Sequence, residues 1–303
     1  MTMRCWPAWR LAPLLFAAAV AIIQPASSAE ARAKRAAQST LLYVSMSSEN
    51  TVLVFDATKH DPQPLLQITD ELSRPGALAV DGAGNFYVCN VGSKAVLEYA
   101  PGATMPAFQY PLGKMNSPRS VAIGSNGNIF VAYTVGADSG AIAVFRPGVA
   151  QPVGSYLGPP PLWVPPLGLA FDDAGNLFVL YSRFVFSAAE VVEYPSGRPP
   201  AKPLPIEVPS NAVSIAVDGA DNVLLSNEQQ ISVFRPGEQK PARIMQRVGF
   251  PLAMAFDHNR QALYIADPEN DFVSTFAYPE PRLLNFFTHG MDKPSGVAVS
   301  PGP

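Results

Sequence analysis

The sequence predicts an all-β fold, a six-bladed β-propeller with four-stranded blades, its ring closed by the C-terminal strand pairing with the N-terminal blade. Three observations carry this reading. A unit of short strands and turns recurs at spacings of 39 to 48 residues, which suits propeller blades rather than helical repeats. Helical periodicity is absent, and 32 prolines run through the chain, enough to break any long helix. The last copy stops after one strand, while strands that would complete it stand at the opposite end of the chain.

Taken in order, the chain opens with Arg4 and Arg10, an apolar run from Leu11 to Ile23, and then Pro25, Ala26, Ser27, Ser28 and Ala29. A charged start, an apolar middle and small residues before a cut are the order of a secretory signal, so residues 1–29 are expected to be removed after Ala29. The apolar run is interrupted by Pro13 and falls short of the roughly 20 residues that span a bilayer. The expectation is an exported chain, periplasmic or secreted, with no membrane span after cleavage. Cys5 precedes the apolar run, which does not fit a lipoprotein. Residues 30–40, with Arg32, Lys34 and Arg35, read as a flexible tether.

Without residues 1–29 the chain keeps 19 Lys and Arg against 24 Asp and Glu, a net of −5. That speaks against nucleic acid as a partner, since phosphate binding needs a dense basic surface. Cys89 is then the one remaining cysteine, so stability cannot rest on an intrachain disulfide, and a core of this length can do without one. Cys89 itself reads as a half-buried structural thiol at the end of a strand.

Each copy of the repeat runs from a proline through an apolar strand, an Asp-x-x-Gly-Asn turn, a second strand, a polar loop and a strand ending in an aromatic. Pro-Gly then follows in several copies. The turn markers are Asp81, Gly124, Asp172, Asp218, Asp257 and Ser300. Asp can accept turn amides while Gly supplies the positive φ of a tight hairpin. Tyr99, Phe145, Tyr194 and Phe234 end third strands and are expected in the core between blades, and Pro101-Gly102, Pro147-Gly148 and Pro236-Gly237 suit type II turns. The innermost strands are expected at 77–80, 120–123, 168–171, 214–217, 253–256 and 296–299. Pro294 to Ser300 should close the ring onto Leu41–Ser45, Thr51–Phe55 and Leu65–Ile68, removing two sheet edges. The expected blades are 41–74 with 294–303, then 75–117, 118–165, 166–210, 211–250 and 251–293.

These motifs, six in phase over nearly all of the mature chain, resemble the NHL-repeat family. The wider group of six-bladed propellers includes gluconolactonase-like and strictosidine-synthase-like enzymes, so the resemblance implies a fold and leaves activity open. Gluconolactonase-like members hold a divalent cation at the top of the channel on acids and amides. The innermost strands here carry neither, and a cation would need loop acids such as Asp267, Glu269 or Asp292. The amidating lyases of this fold imply zinc, but His60, His258 and His289 fall in positions that do not converge, and zinc ligands must meet within about 2.1 Å of one ion. No catalytic residue, metal site or cofactor is expected: there is no Gly-x-Ser-x-Gly elbow and no phosphate-cradling loop.

The expected binding surface is the face where the loops before first strands and after second strands emerge. In the fourth blade these loops carry Trp163 among prolines and Tyr181, Arg183, Phe184 and Phe186. Stiffened aromatics beside an arginine are the composition of a binding hot spot; equally, Trp163 and Phe186 could pack as a lid over the blade ends. Arg119, at the start of a first strand, could face the same rim or be a solvated charge. The function expected is a noncatalytic, monomeric binding or interaction module for a protein, peptide or glycan. The alternative is a metal-dependent lactonase-like hydrolase or lyase.

Overall fold

A computed structural model describes residues 40–114, 116–136, 139–158, 164–183 and 186–302, without the side chains of residues 182–188. Its chain is all β, six sheets of four antiparallel strands, and the only helical element among the described residues is a 3₁₀ turn at Pro195–Gly197. The first blade holds β1 (Leu41–Met46), β2 (Thr51–Asp56) and β3 (Leu66–Ile68). The second is β4 (Pro75–Val80), β5 (Phe86–Asn90), β6 (Ala95–Tyr99) and β7 (Phe108–Pro111). The third is β8 (Asn116–Ile123), β9 (Ile129–Val135), β10 (Ser139–Phe145) and β11 (Gly154–Leu157). The fourth is β12 (Pro166–Phe171), β13 (Leu177–Arg183), β14 (Phe186–Tyr194) and the two-residue β15 (Lys202–Pro203). The fifth is β16 (Ser214–Val217), β17 (Val223–Ser226), β18 (Gln230–Phe234) and β19 (Arg243–Gln246). The sixth is β20 (Ala253–Phe256), β21 (Ala262–Asp267), β22 (Phe272–Ala277) and β23 (Arg282–Phe287), and the chain ends on β24 (Pro294–Val299).

β24 lies against β1, with Leu42 opposite Val299, Val44 opposite Val297 and Met46 opposite Pro294. The first blade is thus built from both ends of the chain. The innermost strands touch one another in the cyclic order β24, β4, β8, β12, β16, β20 and back to β24, which makes the six-bladed propeller that the repeat predicts. Ser300 completes the joint. Its amide donates to the Leu41 carbonyl at 2.8 Å, and its Oγ accepts from the Leu41 amide at 2.8 Å.

The core sits between blades. Among the described residues the buried apolar side chains fall into six clusters, each bridging one pair of neighbouring blades. The aromatics that end third strands supply four of them: Tyr99 with Phe86, Phe145 with Tyr110, Tyr194 with Tyr181, and Phe234 with Phe178. An aromatic ring buries about 150–250 Å² and fills the wedge between twisted sheets. Cys89 corrects the sequence reading: it is fully buried in the cluster between the second and third blades, not half-buried, because it stands inside β5 on the face turned to that cluster. Burial pushes its thiol well above the ordinary range, leaving it unreactive.

The hairpin turns behave as their residues demand. Asp81, Asp172, Asp218 and Asp257 each accept amides of their own turn, and Asp81, Asp172 and Asp218 also hold the amide side chains of Asn85, Asn176 and Asn222. In the third blade, where Gly124 replaces the aspartate, Asn126 Oδ1 takes over and accepts from the Asn128 amide. The left-handed position is glycine in three copies, Gly84, Gly127 and Gly175. It is Asp221 and Arg260 in the fifth and sixth, where a Cβ is strained.

Candidate functional site

The six inner strands surround an axial channel with two chambers. At the loop end, where first strands begin, a chamber of about 280 Å³ is lined by Gly76, Arg119, Ser120, Leu167, Ser214 and Ser295 with their strand neighbours. At the hairpin end a chamber of about 510 Å³ is lined by Asp81, Asp172, Asp173, Asp257, His258 and Arg260, among others. Leu169, Ile215 and Met254, all buried and apolar, line both chambers.

The loop mouth owes its shape to β-bulges. The register breaks just after the opening proline in four first strands, between Pro75 and Leu78, Pro118 and Ser120, Pro166 and Gly168, and Pro294 and Gly296. A bulge re-aims the extra residue and bends the strand, and the residues so displaced are Gly76 and Ala77, Arg119, Leu167 and Ser295. Arg119 is exposed and is the only charged residue lining this chamber among the described residues. The serines around it are polar without charge. Ser120 Oγ accepts from the Leu169 amide at 3.1 Å, and Ser295 Oγ bonds to Ser45 and to the Pro75 carbonyl.

The hairpin mouth is braced by Arg260. From the sixth blade its guanidinium reaches the Val217 carbonyl of the fifth, and the Phe171 carbonyl (3.2 Å) and Asp173 carboxylate (2.8 Å) of the fourth. The sequence held a signal for this residue, an arginine where three other copies of the turn place glycine. The carboxylates at this mouth are engaged: Asp81, Asp172 and Asp257 by their own turns and Asp173 by Arg260.

Of the residues expected on the binding face, Arg119 lies at the loop mouth. Tyr181 does not lie on a loop. It is inside β13, opposite Pro166, fully buried, and its hydroxyl is 3.0 Å from that of Tyr194. The segment read as a loop from 181 to 189 is strand over 181–183 and 186–189, because the β13–β14 hairpin runs past the point where the first strand of the blade begins. Burial raises the Tyr181 phenol far above its usual range, so it serves packing. Arg183 and Phe186 are backbone partners across that hairpin, which projects beyond Pro166 on the loop side, while Trp163 and Phe184 lie outside the described residues.

The loop acids and histidines do not assemble a metal centre. Among the described residues no group of three or more His, Cys, Asp or Glu is placed to hold an ion. Asp267 is fully buried and capped by the amides of Phe250, Glu269 and Asn270. Glu269 is exposed and Asp292 half-buried, and neither lines the channel. His60 is exposed at the joint of the sixth and first blades. His289 Nδ1 lies 3.2 Å from Asp61 at that joint, and His258 stands at the hairpin mouth.

No family model and no curated protein matches the chain. Solved structures do. A chain from a nidogen/laminin complex superposes with a TM-score of 0.69 at 15% identity, covering 86% of this chain and 98% of that one. The hydrazine synthase of Kuenenia stuttgartiensis gives 0.60 at 19%, covering 88% of each. A gluconolactonase from Xanthomonas campestris gives 0.53 at 17%, over 76% of this chain and 84% of that. At these identities the likeness is one of fold. No helix among the described residues is long and apolar enough to cross a membrane.

Proposed function

We propose that the chain is a noncatalytic binding module of NHL-like blades, exported to the periplasm or beyond, which takes a protein, peptide or glycan on its loop end and acts as a monomer. One observation carries the reading. Among the described residues, the loop chamber surrounds a single exposed arginine with apolar, small and hydroxyl-bearing residues, and none of them brings a carboxylate, imidazole or thiol to act as acid, base or metal ligand. A propeller of similar fold found in a nidogen/laminin complex supports a role in association without naming a partner. The likeness to a gluconolactonase keeps a lactonase-like hydrolase as the competing reading, whose cation ligands would have to come from outside the described lining residues of this chamber.

Metal analysis of the purified chain separates the two. The expected result is less than one divalent ion per chain and no hydrolysis of aldonolactones with or without added Ca²⁺ or Zn²⁺; a stoichiometric ion whose removal abolishes turnover overturns the proposal. Trp163→Ala is expected to leave the thermal transition in place while weakening capture of a partner from envelope extracts. Loss of the transition would put Trp163 in the core.

A further inference from the structure

We infer that the loop chamber is a carboxylate site, which takes the carboxylate of a small organic acid against Arg119 and its short apolar stem against the chamber wall. This rests on the reading that the loop end is the binding end. The charge argument comes first. Arg119 is exposed and has no hydrogen bond or ion pair among the described residues, whereas Arg260 at the other mouth is tied to two carbonyls and a carboxylate. A guanidinium offers a planar fork of donors matched to a carboxylate, and here the fork is unspent.

The neighbours fit the same ligand. The Ser214 hydroxyl lines the chamber without a partner among the described residues, and Ser120 Oγ, which accepts from Leu169, keeps its own proton to donate. Beside these donors stand half-buried Leu167, Val213 and Leu252, a surface for methylenes rather than for a sugar. A volume of about 280 Å³ lies at the lower end of the roughly 300–1,000 Å³ of small-molecule pockets, so the ligand is small. A single cation among the described lining residues matches a monoanion better than a phosphate, which would leave charge uncompensated in a partly apolar chamber. The carboxylates at the hairpin mouth oppose passage of an anion along the axis.

The carboxylate could belong to a free acid or to the C-terminus of a peptide ending in an apolar residue, and calorimetry on the full mature chain distinguishes them. The probes are hexanoate, hexanamide, N-acetyl-glycyl-leucine and its C-terminal amide. Hexanoate is expected to bind at least tenfold more tightly than hexanamide, and Arg119→Gln to remove that preference. Arg119→Lys should keep part of it, since charge survives but the fork does not. Ser214→Ala should weaken hexanoate several-fold with the thermal transition unchanged. If the dipeptide acid outcompetes hexanoate and depends equally on Arg119, the carboxylate site stands and its source is a chain end. Equal binding of acid and amide, or indifference to Arg119→Gln, overturns the inference. If both acids fail while Trp163→Ala still weakens partner capture, the carboxylate assignment falls and the binding module does not.

Discussion

Removing residues 294–303 is expected to abolish the cooperative unfolding transition. Those residues supply the innermost strand of the first blade, paired with β1 from Leu42 to Met46. They bury Val297 and Ala298 at the joints with the sixth and second blades, and they cap Leu41 through Ser300. Each ladder bond contributes about 1 kcal/mol net, and a buried valine about 1.5–3 kcal/mol. Their loss together is comparable with the roughly 5–15 kcal/mol that holds a domain folded, and it bares the edge of β1. Circular dichroism during heating should show a broad, noncooperative change with aggregation; a sharp transition near that of the full chain would refute closure. Gly296→Val tests the same joint without a truncation. A Cβ there would collide with the Gly76 carbonyl and Ser45 Oγ, so a loss of about 2–4 kcal/mol is expected, as for an overpacked core position.

Asp218→Ala should cost about 3 kcal/mol in urea unfolding, the largest expected effect of a single polar truncation. This carboxylate is buried and accepts from the Tyr278 hydroxyl (2.7 Å), the Asn222 side chain (2.7 Å) and the amides of Ala220 and Asn222. It joins the turn of the fifth blade to a tyrosine of the sixth. Removing it strands several buried donors, each costing about 1–3 kcal/mol unless water reaches it. Burial alone would raise the acid's pKa, but the donors together outweigh it and hold the pKa below the ordinary 3.8. The folded state therefore binds this proton less readily than the unfolded one. The stabilisation is complete above about pH 4 and fades as acid drives the pH down through the lowered folded value. Asp218→Asn should flatten that part of the acid limb, and an unchanged limb would show that other carboxylates control it. Tyr278→Phe, which removes one donor, should cost about 1–2 kcal/mol.

The fold was legible because its signals are local and repeated. The turn at Asp81 specifies a hairpin from its own residues, and four further turns with a sixth marker at Ser300, all at similar spacing, leave one arrangement without an open edge. Ser300 was legible as a marker out of place, and its position explains why: with its own second strand missing, it caps the amide of Leu41 instead. What escaped depends on distance across the ring. Tyr181 looks like a loop aromatic because polar and aromatic residues surround it, and only the length of the β13–β14 hairpin shows that it points into the core. The bulge that turns Arg119 toward the axis has no signature beyond the preceding proline. Arg260 escaped as well: it takes the turn position that is glycine in three other copies, but its contacts lie 43 to 89 residues away along the chain, and nothing near it names them.

Leu169, Ile215 and Met254 border both chambers, so the two ends of the propeller do not vary independently. A substitution that enlarges or shrinks any of the three should be felt at both mouths at once, altering what settles at the arginine without touching it.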